Sequence, residues 1–259
     1  MTSAIPNRIR AYLGWCPMTG AAQHPAPDQP AGAKTGDLAD SGGSVTGRAD
    51  RFMHLTIAVV VLSYVVAILI LPFLPEVIPV HWNLQGKADG FAASIPGAFG
   101  LPVIITLVTL LFILLPKFDS RYAGFALAKD IYAIILFATT GMLLVMEVIF
   151  LLIAAGYDLP VITIIPVLIG FLFIILGSLM PYIHRNTTMG IRLPWTMKSD
   201  DIWKKTHEHG GPLFMAGGIL TVIGSLVSGI WAMALMLVII IGVTIYISVW
   251  SYRYAKTAG

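Results

Sequence analysis

The sequence predicts an all-α membrane protein with six transmembrane helices, both termini in the cytoplasm and a disordered tail before the first helix. Of its 259 residues, 57% are hydrophobic and only 11% are charged, and the mean hydropathy is +0.85. Several apolar runs approach or exceed the ~20 residues that a helix needs to cross a ~30 Å hydrocarbon layer. A soluble domain does not have this composition, so the chain is expected to lie in the plasma membrane in contact with lipid.

The six spans follow from the apolar runs, and the length of the last run shows that it contains two spans. The 40 residues from Pro212 to Ser251 would form a helix ~60 Å long, about twice the thickness of the hydrocarbon layer. The run therefore folds back, and Ser228-Gly229 is the predicted corner. The predicted spans lie at about 54–74, 98–115, 131–155, 159–180, 212–230 and 232–251.

Lysine and arginine are distributed asymmetrically among the loops of this six-span arrangement. Of the 16 Lys and Arg residues, all but Lys87 fall in the N-terminal segment, the 116–130 loop, the 181–211 loop or the C-terminal end. Loops rich in Lys and Arg remain in the cytoplasm, so both termini are predicted to be cytoplasmic and the 75–97 loop to face outward. With five or seven spans, Lys- and Arg-rich loops would lie on both sides of the membrane.

Residues 1–53 are predicted to form a disordered cytoplasmic tail. From Ala21 to Asp50 the chain is rich in Ala, Pro, Gly, Asp and Ser and has almost no large hydrophobic residues, so it buries too little surface to offset its ordering entropy. It lacks the apolar core of a signal peptide. A translation start at Met53 is an open alternative. Two further regions follow: residues 54–116, with two spans and the outer loop, and residues 117–259, with four spans.

Composition gives no indication of a cofactor. The single cysteine, Cys16, has no partner for an internal disulfide and no nearby Cys or His for a zinc site. The net charge of +3 and the pI near 9.0 do not indicate a nucleic-acid partner, because in a membrane protein the placement of cations matters more than their sum. No cofactor and no direct nucleic-acid contact are predicted.

The segment MGIRLPWTMKSDDIWKKTHEHGG, residues 189–211, is dense in charge and aromatic rings although it lies between two apolar spans. Ser199 predicts a helix start, because its hydroxyl can accept backbone N–H bonds and the acids Asp200 and Asp201 follow at the positive end of the helix dipole. Gly210-Gly211 predicts the end of this short helix.

The predicted short helix has a charged side and an apolar side. Asp200 with Lys204, and Asp201 with Lys205, are spaced as stabilising i,i+4 pairs. The apolar side would lie at the lipid headgroups, together with Trp195 just before the helix. The residues on that side are Ile202, Trp203 and Thr206.

Two segments resemble known bacterial sequences. Residues 190–211 resemble the signature of the SdpI family of membrane proteins, which runs Gly-Ile-Arg-x-Pro-Trp-Thr, then Ser, then Trp-x-x-Thr-His and a glycine. The matching residues are Gly190, Arg192, Pro194, Trp195, Thr196, Ser199, Trp203, Thr206, His207 and Gly211. The outer loop, PEVIPVHWNLQGKADGF, resembles the short domain of unknown function that precedes the SdpI region in many members. There the matching residues are Pro79, His81, Trp82, Asn83, Gly86 and Asp89.

The resemblance implies a multi-pass protein of the bacterial plasma membrane that acts as a sensor or immunity protein. The family's named member confers immunity to a secreted toxic peptide and holds a DNA-binding repressor at the membrane when toxin is present. By this resemblance the outer-loop residues would contact a toxic peptide, and the matching cytoplasmic residues would bind a DNA-binding regulator. The competing interpretation of the cytoplasmic loop is an interfacial anchor whose basic residues face anionic lipid.

Glu147 is the one carboxylate deep in a predicted span. If the third helix starts at Ile131, Glu147 lies ~24 Å along it, in the outer half of the bilayer. Ionisable residues at such depths face the bundle interior or water and are candidate functional sites. The alternative is a protonated acid that is hydrogen-bonded to a neighbouring helix.

The histidines of the loops have both structural and functional interpretations. In the outer loop, Asn83, Gly86 and Asp89-Gly90 are predicted turn residues, and His81 with Trp82 is either a ligand contact or an interfacial anchor. A metal held by Glu76, His81 and Asp89 has no tight ligand spacing to support it. His207 and His209 lie two apart on a helix and point in different directions, so His207 is interpreted as a hydrogen-bonding part of the loop.

The fifth span carries small residues at successive steps of four, which form one stripe along the helix. This stripe predicts close packing, with the sixth span as the expected neighbour, and oligomerisation is undecided. The residues are Gly217, Thr221, Ser225 and Gly229.

Three functions remain from the sequence: a sensor or immunity protein, a small transporter that uses Glu147, and a membrane enzyme that uses His81 or His207. The first is preferred and no catalytic residue is assigned, because no phosphate-binding glycine loop, nucleophile elbow, metalloprotease helix or pair of broken helices is present in the sequence.

Overall fold

Six long helices make up most of the part of the chain that the computed structural model describes, residues 46–118, 126–227 and 229–258. Each is long and apolar enough to cross a membrane, which confirms the predicted all-α fold and a multi-pass protein of the plasma membrane. The helices are α1 (Thr46–Ile70), α2 (Ser94–Leu114), α3 (Ala126–Ala154), α4 (Val161–Leu179), α5 (Asp200–Val227) and α6 (Ala232–Ala258).

Short 3₁₀ segments follow four of these helices. Three of them contain a proline in the first two positions, where the missing N–H and the fixed backbone angle end the α-helical ladder. The segments are Leu71–Phe73, Leu115–Phe118, Met180–Tyr182 and Gly229–Trp231. The last forms the corner between α5 and α6. There Gly229 has a positive φ of 52°, as the predicted turn requires, and Ser228 lies outside the described residues.

The first helix begins earlier than predicted. Residues 1–45 of the predicted tail lie outside the described residues, but residues 46–53 form the first two turns of α1. Phe52 contacts Phe137 of α3 with ring centroids 5.7 Å apart. This contact packs the polar first turns of α1 against α3. Hydropathy alone does not reveal such a contact, so the helix start was predicted too late in the sequence.

The outer loop between α1 and α2 forms a β-hairpin. Strand β1 (Val77–Trp82) pairs antiparallel with β2 (Ala88–Ala93). Ile78 is 2% exposed and packs on α2 at Gly97, where an added Cβ would lie 2.7 Å from the Ile78 side chain. The hairpin is therefore held against the outer end of α2.

The predicted helix end at Gly210-Gly211 is wrong, because α5 runs without a break from Asp200 through both glycines and Pro212 to Val227. The glycines allow a close crossing with α4. A Cβ on Gly211 would lie 2.7 Å from the carbonyl oxygen of Gly177, and a Cβ on Gly177 would lie 2.6 Å from that of Gly211. The predicted short helix and the fifth span are one element.

A second glycine pair lies seven residues further along the same crossing. Added Cβ atoms on Gly170 and Gly218 would lie 2.8 and 2.5 Å from the carbonyl oxygen of the facing glycine. Close backbone contact of this kind is typical of helix pairs in membranes. The predicted small-residue stripe is on another side of α5: at Gly217 an added Cβ would lie 3.2 Å from Val243 of α6, so the expected packing against the sixth span is confirmed there.

Candidate functional site

His207 links the cytoplasmic loop to the first turns of α5. Its side chain is fully buried. Its Nδ1 lies 2.8 Å from the Trp203 carbonyl, and its Nε2 accepts the Ile191 N–H at 3.0 Å. Because the Ile191 N–H must donate, the neutral ring carries its proton on Nδ1. Gly190 has φ 106°, and an added Cβ there would lie 2.5 Å from Nε2, so the loop passes directly over the imidazole.

Trp203 fixes the other end of this loop. Its indole N–H donates to the Ile183 carbonyl at 2.7 Å, and its ring stacks on His207 at 4.2 Å. It is 2% exposed and packs with Ile131 of α3. The prediction that Ile202, Trp203 and Thr206 face the headgroups is therefore wrong: all three are buried among protein side chains.

Thr196 organises the turn before α5. Its hydroxyl donates to the Ile191 carbonyl at 2.6 Å and accepts the Leu193 N–H at 2.9 Å. Ser199 then caps α5, because its hydroxyl accepts the Ile202 N–H at 3.2 Å, which confirms the predicted helix start.

The acids of the first turn of α5 do not form the predicted i,i+4 pairs. Asp200 accepts the Arg185 Nε–H at 2.6 Å, and Asp201 accepts the Tyr254 hydroxyl at 2.8 Å. These partners come from outside α5, and sequence spacing along α5 could not show them. Lys204 and Lys205 instead face the next acid, Glu208, at 3.8 and 3.3 Å.

Trp195 connects the loop to α6. Its indole N–H donates to the Ser251 hydroxyl at 2.9 Å, and Tyr252 meets its ring edge-on at 5.2 Å. Of the nine cytoplasmic residues predicted to bind a partner, only Gly190, Arg192 and Pro194 are exposed. The loop is thus held by its own hydrogen bonds, and Arg192 is the charged residue of the motif on its surface.

The outer hairpin brings two of its predicted contact residues together. His81 Nδ1 lies 2.5 Å from an Asp89 carboxylate oxygen, and both side chains are exposed. The side-chain oxygen of Asn83 accepts the N–H groups of Gln85 and Lys87, both at 3.0 Å. Gly86 follows with φ 74°, so the turn predicted at Asn83 and Gly86 is confirmed.

Asp89 and Gly90 lie in β2, so the prediction that they form a turn is wrong. Gly90 is paired with His81 across the hairpin, and an added Cβ on it would lie 2.7 Å from the His81 Cβ. Glycine is needed at this position for strand packing. Trp82 at the end of β1 packs against Phe150 of α3, with the tilted rings 4.6 Å apart, and this contact anchors the hairpin to the bundle.

Glu147 lies beneath the hairpin, on the face of α3 that meets α1. It is 1% exposed, and the Ser63 hydroxyl of α1 donates to one carboxyl oxygen. The other oxygen is buried and has no partner among the described residues. The predicted bond to a neighbouring helix is present. Glu147 is also one of the residues that line a cavity of about 290 Å³ between β1, α2 and α3.

The described ranges hold no group of three or more His, Cys, Asp and Glu side chains placed to bind a metal. Glu76 does not join His81 and Asp89 in such a group. His207 and His209 point apart as predicted, since His209 stacks on Trp250 of α6 at 4.0 Å.

Sequence reasoning missed the hydrogen-bond partners that lie on other elements. The chief ones are Ser63, Arg185 and Ser251, which bond to Glu147, Asp200 and Trp195. It also missed Asn186, whose side-chain oxygen accepts the N–H groups of Thr188 and Met189 at 2.8 and 2.7 Å. An Asn a few residues before a glycine is a turn signal, so Asn186 could have been found. A single serine within a span gives no such signal.

Comparison with known proteins agrees with the two motifs. Residues 182–249 match the SdpI/YfhL protein family, and residues 58–106 match a domain of unknown function, DUF1648. The chain is 26% identical over 206 residues to the immunity protein SdpI of Bacillus subtilis (strain 168), across 78% of this chain and 95% of the relative. No solved structure gives a significant match. The predicted resemblance to the SdpI family and to the preceding domain is confirmed.

Proposed function

We propose that this protein is a membrane immunity protein that protects a bacterium against a secreted toxic peptide. The observation that carries the proposal is the similarity to an immunity protein along 95% of that relative's length. The hairpin supports an outward role, because His81 and Asp89 form an exposed pair on a rigid support that Trp82 fixes to α3.

The proposal predicts a survival phenotype. In the experiment, this protein is expressed in Bacillus subtilis in place of the relative, at matched membrane levels. Survival is then measured in the presence of the secreted peptide to which the relative gives immunity. We expect survival well above that of cells without either protein. Loss of the His81–Asp89 pair by Asp89→Ala, which removes the acceptor, is expected to reduce survival, because the pair orders the exposed strand ends.

Lys87→Ala is the matched control, since Lys87 is an exposed charge on the same hairpin without a salt bridge among the described residues. Survival equal to that of cells without either protein, at verified membrane levels, would exclude protection against this peptide. The two substitutions change the net charge of the hairpin in opposite directions, so an equal loss in both would mean that the His81–Asp89 pair has no specific part in protection.

We further propose that the cytoplasmic loop binds a DNA-binding regulator through Arg192. Arg192 is exposed beside Pro194 on a loop whose buried side chains are hydrogen-bonded within the protein, so it can contact a partner without loss of the loop fold. Trp195 suits this test less well than Arg192, because its bond to Ser251 makes it part of the structure.

This second proposal predicts a loss of capture. Affinity purification from toxin-treated membranes is expected to recover a DNA-binding protein with the wild type. With Arg192→Glu we expect at least about tenfold less of that protein, because the substitution replaces a charge-assisted contact by one of the opposite charge. Arg253→Glu is the control, since Arg253 is another exposed arginine at the cytoplasmic end of α6. Equal recovery of the DNA-binding protein with both variants would show that Arg192 does not contact it.

A transporter that uses Glu147 and an enzyme that uses His207 receive less support from the geometry. Among the described residues that line the cavity, Glu147 is the only ionisable one, so this lining offers no second ionisable group to exchange a proton with it. Both ring nitrogens of His207 contact backbone groups, which leaves neither free to act as an acid or base on a substrate.

A further inference from the structure

The cavity beneath the hairpin is apolar except for one carboxyl group. Its walls include aliphatic and aromatic side chains of β1, α2 and α3, among them Ile78, Val80, Leu101, Ile104 and Phe150. Its volume of about 290 Å³ is near the lower limit of the ~300–1,000 Å³ that is usual for small-molecule sites. The space suits a single flexible chain better than a multi-ring ligand.

Glu147 is the one ionisable residue among the described residues that line this space. Ser63 supplies a donor to one carboxyl oxygen, and the other oxygen is buried without a donor among the described residues. A buried acceptor without a donor is unfavourable, so a ligand that brings an N–H group would gain that interaction. The described lining residues carry no positive charge, so nothing there competes for the carboxylate.

We propose that this cavity binds an apolar chain that ends in an ammonium group, with an ammonium N–H donating to the free oxygen of Glu147 and the hydrocarbon against the cavity walls. The charge-assisted bond selects the head group, and burial of the chain supplies the apolar contribution. A lysine side chain of a peptide has this chemistry, because its ammonium group ends a chain of methylene groups. In phosphatidylethanolamine an anionic phosphate separates the ammonium group from the hydrocarbon, and the described lining residues carry no positive charge to pair with it. The site goes beyond the proposed immunity and does not require it.

The test uses the full chain in nanodiscs of phosphatidylcholine, whose headgroup nitrogen has no N–H. Binding of decylammonium and of the neutral decanol is measured by native mass spectrometry. We expect the wild type to prefer decylammonium by about tenfold or more, because the decanol hydroxyl can donate to the carboxylate but lacks the positive charge that strengthens the bond from an ammonium group. Equal affinities for the two probes would overturn the proposal.

Three variants separate the head group from the chain. Glu147→Gln is expected to lose the preference for decylammonium and to retain decanol binding. Gly100→Leu is expected to lose both ligands, because Gly100 lines the cavity and an added Cβ there meets open space. Gly242→Leu is the control, since Gly242 has equally open surroundings on α6. Unchanged decylammonium affinity in Glu147→Gln or Gly100→Leu would overturn the site.

A second pair of measurements identifies the source of the ammonium. If phosphatidylethanolamine nanodiscs weaken decylammonium binding to the wild type but not to Glu147→Gln, the site takes the lipid. If a lysine-containing apolar peptide displaces decylammonium equally in both lipids, the site takes the peptide. The second result supports the lysine side chain as the ligand, and the first would overturn that assignment in favour of the lipid headgroup. The readout is binding, so a failed survival assay leaves this inference intact, and absence of binding leaves the immunity proposal intact.

Discussion

Replacement of Gly177 by alanine is expected to be strongly destabilising, although alanine is the better helix former. The added methyl would lie 2.6 Å from the carbonyl oxygen of Gly211 and 2.7 Å from the backbone nitrogen of Met215. Backbone atoms cannot rotate away, so α4 and α5 must separate and lose contacts along their whole crossing. We expect a loss near the upper end of the range of about 1–3 kcal/mol that overpacking usually costs, measured by thermal unfolding in detergent.

Gly242→Ala is the control, and its expected change in stability has the opposite sign. Gly242 lies within α6, and an added Cβ there meets nothing within 4 Å. This variant is expected to be neutral or more stable by up to about 1 kcal/mol, because only helix propensity changes. If Gly177→Ala and Gly242→Ala shift the unfolding temperature equally, the close crossing is not part of the folded protein.

The double variant adds a further test of the same crossing. Gly211→Ala alone should cost as much as Gly177→Ala, because its Cβ would meet the Gly177 carbonyl oxygen at 2.7 Å. Once the helices have separated to accept one methyl, the second has space. The combined loss should therefore be clearly smaller than the sum of the two single losses.

Replacement of Gly190 by alanine is expected to unfold the cytoplasmic loop. Two costs combine: the positive φ of 106° is strained for alanine, about 1–3 kcal/mol, and the methyl would displace the His207 ring. Displacement breaks the bond from the Ile191 N–H to Nε2, which leaves a buried donor unpaired at a further cost of about 1–3 kcal/mol. Unfolding temperature and protease sensitivity of the loop are the measurements.

Gly156→Ala separates these two costs. Gly156 has a nearly equal φ of 101°, but an added Cβ there has no neighbour within 4 Å. It should show the backbone cost alone, with roughly half the loss of Gly190→Ala. Equal losses in the two variants would mean that the contact between Gly190 and His207 contributes nothing to stability.

Sequence patterns predicted the spans because span length and hydropathy are local properties. The sixth predicted span begins at the same residue as α6, and the corner before it was found from the length of the apolar run alone. The hairpin strands were missed, because short alternating segments such as VIPVHW give a weak signal when the facing strand is unknown.

The errors occur where contacts between elements decide the structure. Gly210-Gly211 resembles a helix end to any local rule, yet the facing Gly177 makes it an interior crossing point. Asp200 could pair with Lys204 or with Arg185, and the choice depends on where the loop before α5 places Arg185. The cavity at Glu147 likewise needs β1, α2 and α3 together, so only the carboxylate itself was visible in the sequence.

The glycines on two sides of α5 also have a consequence for biogenesis. This helix is the least apolar and the most buried of the six that can span a membrane, and its glycines weaken it as an isolated helix. During synthesis it should therefore leave the translocon poorly unless α4 is already beside it to receive Gly211 and Gly218. Because α4 is synthesised before α5, we expect α4 to be the partner against which α5 enters the bilayer.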